Sequence, residues 1–391
     1  MTELKNFSLA FGKKKVFQNI NFNPVSKEKT MVIGNNASGK TTLALFLSGI
    51  IPDFMPANIS GHAILPKKVS LLMQNPSNQF FALTVKEELG QKGIALAKKL
   101  GAGHLLEKNV FELSEGEKQK INLISGLALD PEILILDEPL ELLDPFEERR
   151  FKQIICGLRK KTVLWLEKSP ETGLKMKKFF LSRPKTIVFP KKKKKASGKE
   201  IFQTDFSVKN NSFELNNIVL NSGQGEKIAL IGKNGSGKST LLKALAGIQK
   251  ISGKIIAQKP FSFAPQNPSY LFFNETVEAE LADGKNARNL GISELLSMNP
   301  DKLSRGQQKL VSIATLKPGT IMLLDEPTTW LDAENKKTVY DFINESPETM
   351  VIATHDKRLL DYCDRVFLIE KGGVKECSNT IINRFFQARL K

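Results

Sequence analysis

Leu230-Ile231-Gly232-Lys233-Asn234-Gly235-Ser236-Gly237-Lys238-Ser239-Thr240-Leu241 is the stretch that decides the fold. It fits G-x-x-x-x-G-K-[ST]. The apolar run Ala229 to Ile231 precedes it and a helix-forming run from Leu241 to Ile248 follows, so it reads as strand, loop and helix. Glycines let the backbone turn tightly and aim its N–H groups at an anion, and the helix N-terminus adds partial positive charge on the same spot. In such a loop, Gly232 to Thr240 cradles phosphates, Lys238 reaches the β- and γ-phosphates and Ser239 ligates Mg²⁺.

The same signature stands earlier, at Gly34-Asn35-Asn36-Ala37-Ser38-Gly39-Lys40-Thr41-Thr42. Three further landmarks recur in the same order at a nearly constant offset. Gln74-Asn75-Pro76-Ser77 returns as Gln266-Asn267-Pro268-Ser269, Leu113-Ser114 as Leu303-Ser304, and Asp137-Glu138-Pro139 as Asp325-Glu326-Pro327. Ordered repetition on this scale means a tandem duplication. The expected organisation is a first domain over 1–183, a basic linker over 184–200 and a second domain over 201–391.

Each half reads as an α/β unit. Ile133 to Leu136 and Ile321 to Leu324 are apolar runs ending in two acids, as in buried parallel strands that deliver charge at their C-terminal edge. Asp137 and Asp325 are candidate Mg²⁺ ligands, with Thr41 and Ser239 beside them. Glu138 and Glu326 are candidate general bases for an attacking water. Gln74 and Gln266 end strands next to the phosphate loops, where they can contact the metal or that water. His355 ends the apolar strand Val351 to Thr354 and can reach the γ-phosphate, whereas the first half has Lys168 at that place. Ser114 precedes a helical run and reads as its cap. Leu4 to Phe11 and Val16 to Phe22 read as a hairpin, and Lys86 to Leu106 as a helix. Phe11 reads either as a stacking partner for an adenine or as an ordinary strand aromatic, with Asn210 at the corresponding position of the second half.

A chain of 391 residues with 41% hydrophobic and 25% charged side chains has a globular composition. No stretch approaches the roughly 18 apolar residues of a membrane span, and Met1 to Ala10 lacks a secretory apolar core. Cys156, Cys363 and Cys377 form no C-x-x-C pair and read as structural thiols. The net charge of +17 favours an anionic partner. Lys191 to Lys195 concentrate that charge in the linker, where they read as a solvated tether or as a contact for anionic lipid.

Phosphate loop, Gln, Leu-Ser-x-Gly, acidic strand end, Leu-Asp and His, in that order and twice over, resemble the ATP-binding cassette (ABC) ATPases. Gln74-Asn75-Pro76-Ser77-Asn78-Gln79-Phe80-Phe81, with Gln266-Asn267-Pro268-Ser269 and Phe272-Phe273, is similar to the cassettes of energy-coupling-factor importers of vitamins and metal ions. The resemblance implies two tandem P-loop NTPase domains, each a mixed sheet core with a small helical subdomain. It implies that ATP on one loop is covered by the Leu-Ser-x-Gly segment of the other half: Ser114 and Gly116, or Ser304, Gly306 and Gln307. It further implies an ATPase with ATP and Mg²⁺, peripheral on the cytoplasmic face of the membrane, driving an integral membrane transport subunit. A tandem cassette acting on ribosomes or nucleic acid is the alternative. The charge suits it, but the short linker with Pro184 and Pro190 does not. Glu115 and Glu117 depart from the family pattern and are expected to bring negative charge towards the covered polyphosphate. Lys168 departs from the switch His and is expected to hold a γ-phosphate as a point charge.

Overall fold

The computed structural model describes residues 2–168, 173–182, 189, 192, 198–210, 213–281 and 284–387. The chain divides into two compact units, one of Met1–Leu143 with Glu147–Thr186 and the other of Asp144–Phe146 with Ile187–Lys391.

In the first unit, strands Glu3–Phe11 and Lys14–Phe22 form the expected hairpin, and Asn58–Ile64 completes a three-stranded antiparallel sheet. A second, five-stranded sheet is parallel. Its spatial order is Val69–Leu72, Ile133–Asp137, Thr162–Glu167, Lys29–Ile33 and Lys177–Phe180. The central strands are continuous apolar runs because both faces are covered. Ile133 and Ile135 join one core cluster with Phe7 and Phe46, while Leu134 and Leu136 join another with Phe151 and Trp165. The period-two alternation of a strand thus survives as a choice between two cores.

The second unit repeats this plan. Glu200–Asn210, Phe213–Gly223 and Ser252–Ala257 form the antiparallel sheet. The six-stranded sheet runs Phe261–Ala264, Ile321–Asp325, Met350–Ala353, Lys227–Ile231, Arg365–Glu370 and Gly373–Glu376, with only the last strand antiparallel. Ile321 and Leu323 face one core, Met322 and Leu324 the other. The mixed α/β character expected from the sequence is what the chain adopts.

The helices differ from expectation in extent. The helix after the second phosphate loop starts at Lys238 rather than Leu241, because Gly237 takes a left-handed φ of 102° and caps it. The helix placed at Lys86 to Leu106 runs Val85–Lys99, breaks at Gly90 (φ 56°, ψ −176°), and stops before Gly101 turns the chain at φ 67°. Leu100, Leu105 and Leu106 keep their apolar spacing, but they fill the subdomain core from turns. That core is small in the first unit, where Val85–Lys99 packs on Glu115–Ala128. In the second unit, among the described residues, it holds the short helices Val277–Glu280 and Gly284–Asn289 beside Arg305–Ala314.

Much of the lysine run lies outside the described residues. Lys192, however, donates to the Cys363 carbonyl at 2.6 Å and pairs with the buried Asp364 carboxylate at 3.1 Å. Phe189 packs on Tyr340, and the Arg358 guanidinium lies 3.9 Å from its ring centroid. Phe189 and Lys192 are therefore both held on the second unit.

Candidate functional site

Each phosphate loop joins a buried strand to a helix whose N-cap is a left-handed glycine, Gly39 at φ 92° and Gly237 at φ 102°. Ala37 adopts φ 59° at the place where the second loop has Gly235 at φ 74°. An L-residue held left-handed costs about 1–2 kcal/mol, so the first loop keeps its shape against a local preference. Lys40 Nζ donates to the carbonyls of Gly34 and Asn35 at 2.7 and 3.0 Å. Lys238 Nζ does the same to Gly232 and Lys233 at 2.8 and 3.1 Å. Thr42 and Thr240 continue the two helices, and Asn36 sits between strand and helix in its loop.

The loops are tightly enclosed. A Cβ built on Gly232 would lie 2.6 Å from the Ile369 carbonyl oxygen and 2.4 Å from Ser236 Oγ. The carbonyl belongs to a sheet strand and cannot yield, and such overpacking costs typically about 1–3 kcal/mol. Gly232→Ala is expected to close the second loop. Equilibrium binding of Mg-ATP to the intact chain should then fall from two sites to one.

The acidic strand ends converge on the loops. Thr41 Oγ1 donates to Asp137 Oδ2 at 2.7 Å, and Ser239 makes the equivalent bond to Asp325. In each aspartate the other oxygen, Oδ1, is buried without a hydrogen-bond partner. A hydroxyl beside a carboxylate oxygen suits Mg²⁺, a hard cation that takes one or two protein oxygens and completes its shell with phosphates and water. Burial pushes Asp137 up to about 6 and raises Asp325 as well, which a bound cation would reverse. Glu138 and Glu326 both sit at φ 48°, a left-handed strain repeated at the same step of both halves.

Around these two glutamates the halves diverge. Glu326 Oε2 accepts the His355 main-chain N–H at 3.1 Å, and His355 Nε2 lies 3.5 Å from Oε1 and 3.2 Å from Asn234 Oδ1. Burial and then the nearby Lys238 charge push His355 well below its ordinary range, so its ring is neutral. Burial lifts Glu326 to about 7. A carboxylate with such a pKa, facing a neutral imidazole, can take a proton from water near neutral pH.

Glu138 is tied down instead. Its Oε1 lies 3.2 Å from Lys40 Nζ, and its Oε2 lies 2.9 Å from Lys168 Nζ and accepts from Gln74 Nε2 at 3.1 Å. Lys168 also holds Glu141 at 3.0 Å. Burial alone would push the Lys168 ammonium down, but the Glu141 and Glu138 carboxylates outweigh it and hold it above the usual lysine range. The sequence expectation that Lys168 serves a γ-phosphate is thus corrected: its charge is spent on two buried carboxylates.

The Leu-Ser-x-Gly segments also need one correction. Ser114 and Ser304 each cap a helix, accepting from the N–H of Glu117 and Gln307 at 3.2 and 3.3 Å. Glu117 reaches back to the Ser114 N–H at 2.9 Å and pairs with Lys108, while Glu115 pairs with Lys118. Both carboxylates are drawn to their own helix N-terminus or a lysine, so they do not project as expected. Gly116 leaves room for a different acid: a Cβ there would lie 1.8 Å from Glu147 Oε1. A carboxylate resting on this helix N-terminus shows that the spot favours an anion. Gly306 is buried at the matching place.

Two features escaped sequence reasoning. Glu141, three residues after Glu138, is the second partner of Lys168. Lys309, wholly buried, donates to the carbonyls of Pro265, Gln266 and Asp325. Gln266 is thereby anchored through its main chain. Phe11 is half-buried against the core of the first unit.

The family profile described as "ABC transporter" matches residues 17–141 and 215–329, one segment in each unit. The chain belongs to the ABC transporter family. It is accordingly an ATPase with two cassettes in one polypeptide. Among curated relatives, the putative HMP/thiamine import ATP-binding protein YkoD of Bacillus subtilis is 28% identical, covering 95% of this chain and 90% of that protein. A putative ABC transporter ATP-binding protein of Methanosarcina mazei is 29% identical over 100% of this chain and 97% of its own length. Among solved structures, one described as RNase-L Inhibitor superposes with a TM-score of 0.72 over 98% of this chain and 93% of that one, at 21% identity. At that identity the likeness speaks for the tandem-cassette fold alone.

Proposed function

We propose that this chain is the ATP-hydrolysing subunit of a membrane importer of the energy-coupling-factor type, carrying a vitamin or metal ion, and that it works peripherally on the cytoplasmic face against an integral membrane partner. The carrying observation is a pair of exposed aromatics presented identically by both cassettes. Phe81 is 95% exposed and Phe273 is 86% exposed, each a few residues beyond the site glutamine. They are held out, not left loose. Glu88 accepts the N–H groups of Phe81 and Ala82 at 2.9 and 3.1 Å, and Glu280 accepts those of Phe273 and Asn274 at about 2.5 Å. Rigid aromatic knobs beside the catalytic strand are what an apolar partner surface needs. Leu83 and Tyr270, also exposed, widen the apolar area.

Among the described residues no helix is long and apolar enough to cross a membrane, so in this reading the translocation path belongs to a partner. The import named for the Bacillus subtilis relative points to the same substrate class. Within each site, Gly34 to Thr42 and Gly232 to Thr240 bind the nucleotide. Thr41 with Asp137 and Ser239 with Asp325 hold Mg²⁺, which neutralises phosphate charge. Glu326 and Glu138 face the attacking water, with Gln266, Gln74 and His355 orienting it. Ser114, Gly116, Ser304, Gly306 and Gln307 are the γ-phosphate donors of the capped helices.

The test is affinity purification of the tagged chain from membranes. A multi-span protein should co-purify, and Phe81→Ala with Phe273→Ala should cut its recovery by about tenfold or more, the weight of one or two central aromatic anchors. Recovery unchanged by the double variant, or ribosomal proteins in place of the membrane protein, would overturn the reading.

A further inference from the structure

Three carbonyl oxygens converge on one point beneath the second acidic strand. Pro265 and Gln266 supply two, and Asp325 supplies the third, at 3.0, 2.8 and 3.1 Å from Lys309 Nζ. An ammonium has three N–H donors and no acceptor, so it satisfies all three at once. The side chain has no exposed surface, and the Asp325 and Glu326 carboxylates nearby favour its charge.

On the far side, Lys309 Nζ lies 5.6 Å from the ring centroid of Trp330. The Arg305 guanidinium lies 5.4 Å from the same centroid. Trp330 follows the acidic strand end by four residues and holds a left-handed φ of 64°, rare for so large a side chain. Arg305 is the first residue of the helix that Ser304 caps. One compact stack therefore joins the Gln266 loop, the acidic strand end and the start of the Leu-Ser-x-Gly helix.

The first cassette has none of it. By the repeat, Glu115 stands for Arg305, Gln119 for Lys309 and Leu142 for Trp330. Gln119 Nε2 donates to a single carbonyl, Pro139, at 3.0 Å, and its Oε1 is buried without a partner. An amide has two donors and cannot make the three-way tie.

We propose that Arg305, Lys309 and Trp330 are positioning residues of the second ATP site. Lys309 fixes the Gln266 loop to the acidic strand, and Trp330 carries the state of that strand to the capped helix through Arg305. This rests on the second cassette's ATP site and is independent of the importer reading, since it needs no partner.

Trp330 reports on itself. The chain has two tryptophans, so Trp165→Phe leaves Trp330 as the sole indole. In that background, Mg-ATP should change the emission of the full-length chain, and Lys238→Ala should abolish the change. Lys309→Gln, which installs the first cassette's residue, should also abolish it. ATP affinity should stay within about threefold while kcat falls by at least about tenfold. A response that survives Lys238→Ala, or a Lys309→Gln chain with unaltered kcat, overturns the proposal. So does a Lys309→Gln chain that loses affinity and melting temperature while each folded molecule turns over normally. Should Lys309→Gln not fold, the exposed Arg305→Ala leaves the core intact and should blunt the emission change; an undiminished change would equally overturn it.

Discussion

Glu326→Gln is expected to remove most of the steady-state ATPase activity, and Glu138→Gln far less. Loss of a general base costs about 10²–10⁴-fold at the site that uses it. Glu326 meets the requirements for that role: it is raised to about 7 by burial and faces a neutral His355. Its Oε1 is buried with no hydrogen-bond partner. Glu138 has the same backbone strain and the same strand, but both its oxygens are bound, to Lys40, Lys168 and Gln74. A carboxylate whose two oxygens are already held by two ammonium groups and an amide has no oxygen left to orient a water. Activity of the two variants, measured on the intact chain, decides the matter. Equal losses would mean equivalent sites, and a larger loss from Glu138→Gln would reverse the assignment.

The second large effect concerns stability. Lys168→Met leaves Glu138 and Glu141 facing each other without their shared cation, at side-chain exposures of 9% and 12%. Breaking a buried pair by removing one partner typically costs about 3–5 kcal/mol, because the remaining charge is left uncompensated. The melting transition of the first unit should drop, while that of the second should not. The pH sign follows from linkage. The ammonium's folded pKa is raised, so its stabilising contribution is complete below the unfolded lysine value and is lost only as pH rises through the folded one. The difference between wild type and Lys168→Met should therefore be fully present at neutral pH, as calorimetry would show. Two melting curves that coincide at pH 7 would mean that Lys168 is not what balances the two glutamates.

The phosphate loops and acidic strand ends were legible in the sequence because they are backbone patterns. Glycine at Gly39 and Gly237, and an apolar run closed by two acids, admit few other readings. The roles of the charged side chains were not legible. Lys309 stands in a helix among Gln308 and Leu310, where a lysine reads as solvent-facing; only the fold brings three carbonyls to it. Glu117 reads as a charge aimed outward, yet a helix N-terminus three residues back draws it home. Lys168 could be seen to replace a histidine, but its second partner, Glu141, appears only when the strand and the following turn are brought together. The helix ending at Lys99 reads longer than it is, since periodicity continues into turns that pack on the same core, whereas the helix starting at Lys238 reads shorter because its first turn follows directly on the Gly237 cap.

The carboxylate clamps behind Phe81 and Phe273 bear on the life of the chain before assembly. A side chain held outward by main-chain bonds cannot easily fold back against its own surface, so on the importer reading a newly made copy without its membrane partner keeps two greasy knobs in water. Such a copy should bind other copies or chaperones and be cleared faster than an assembled one, which ties its abundance in the cell to the supply of whatever covers those rings.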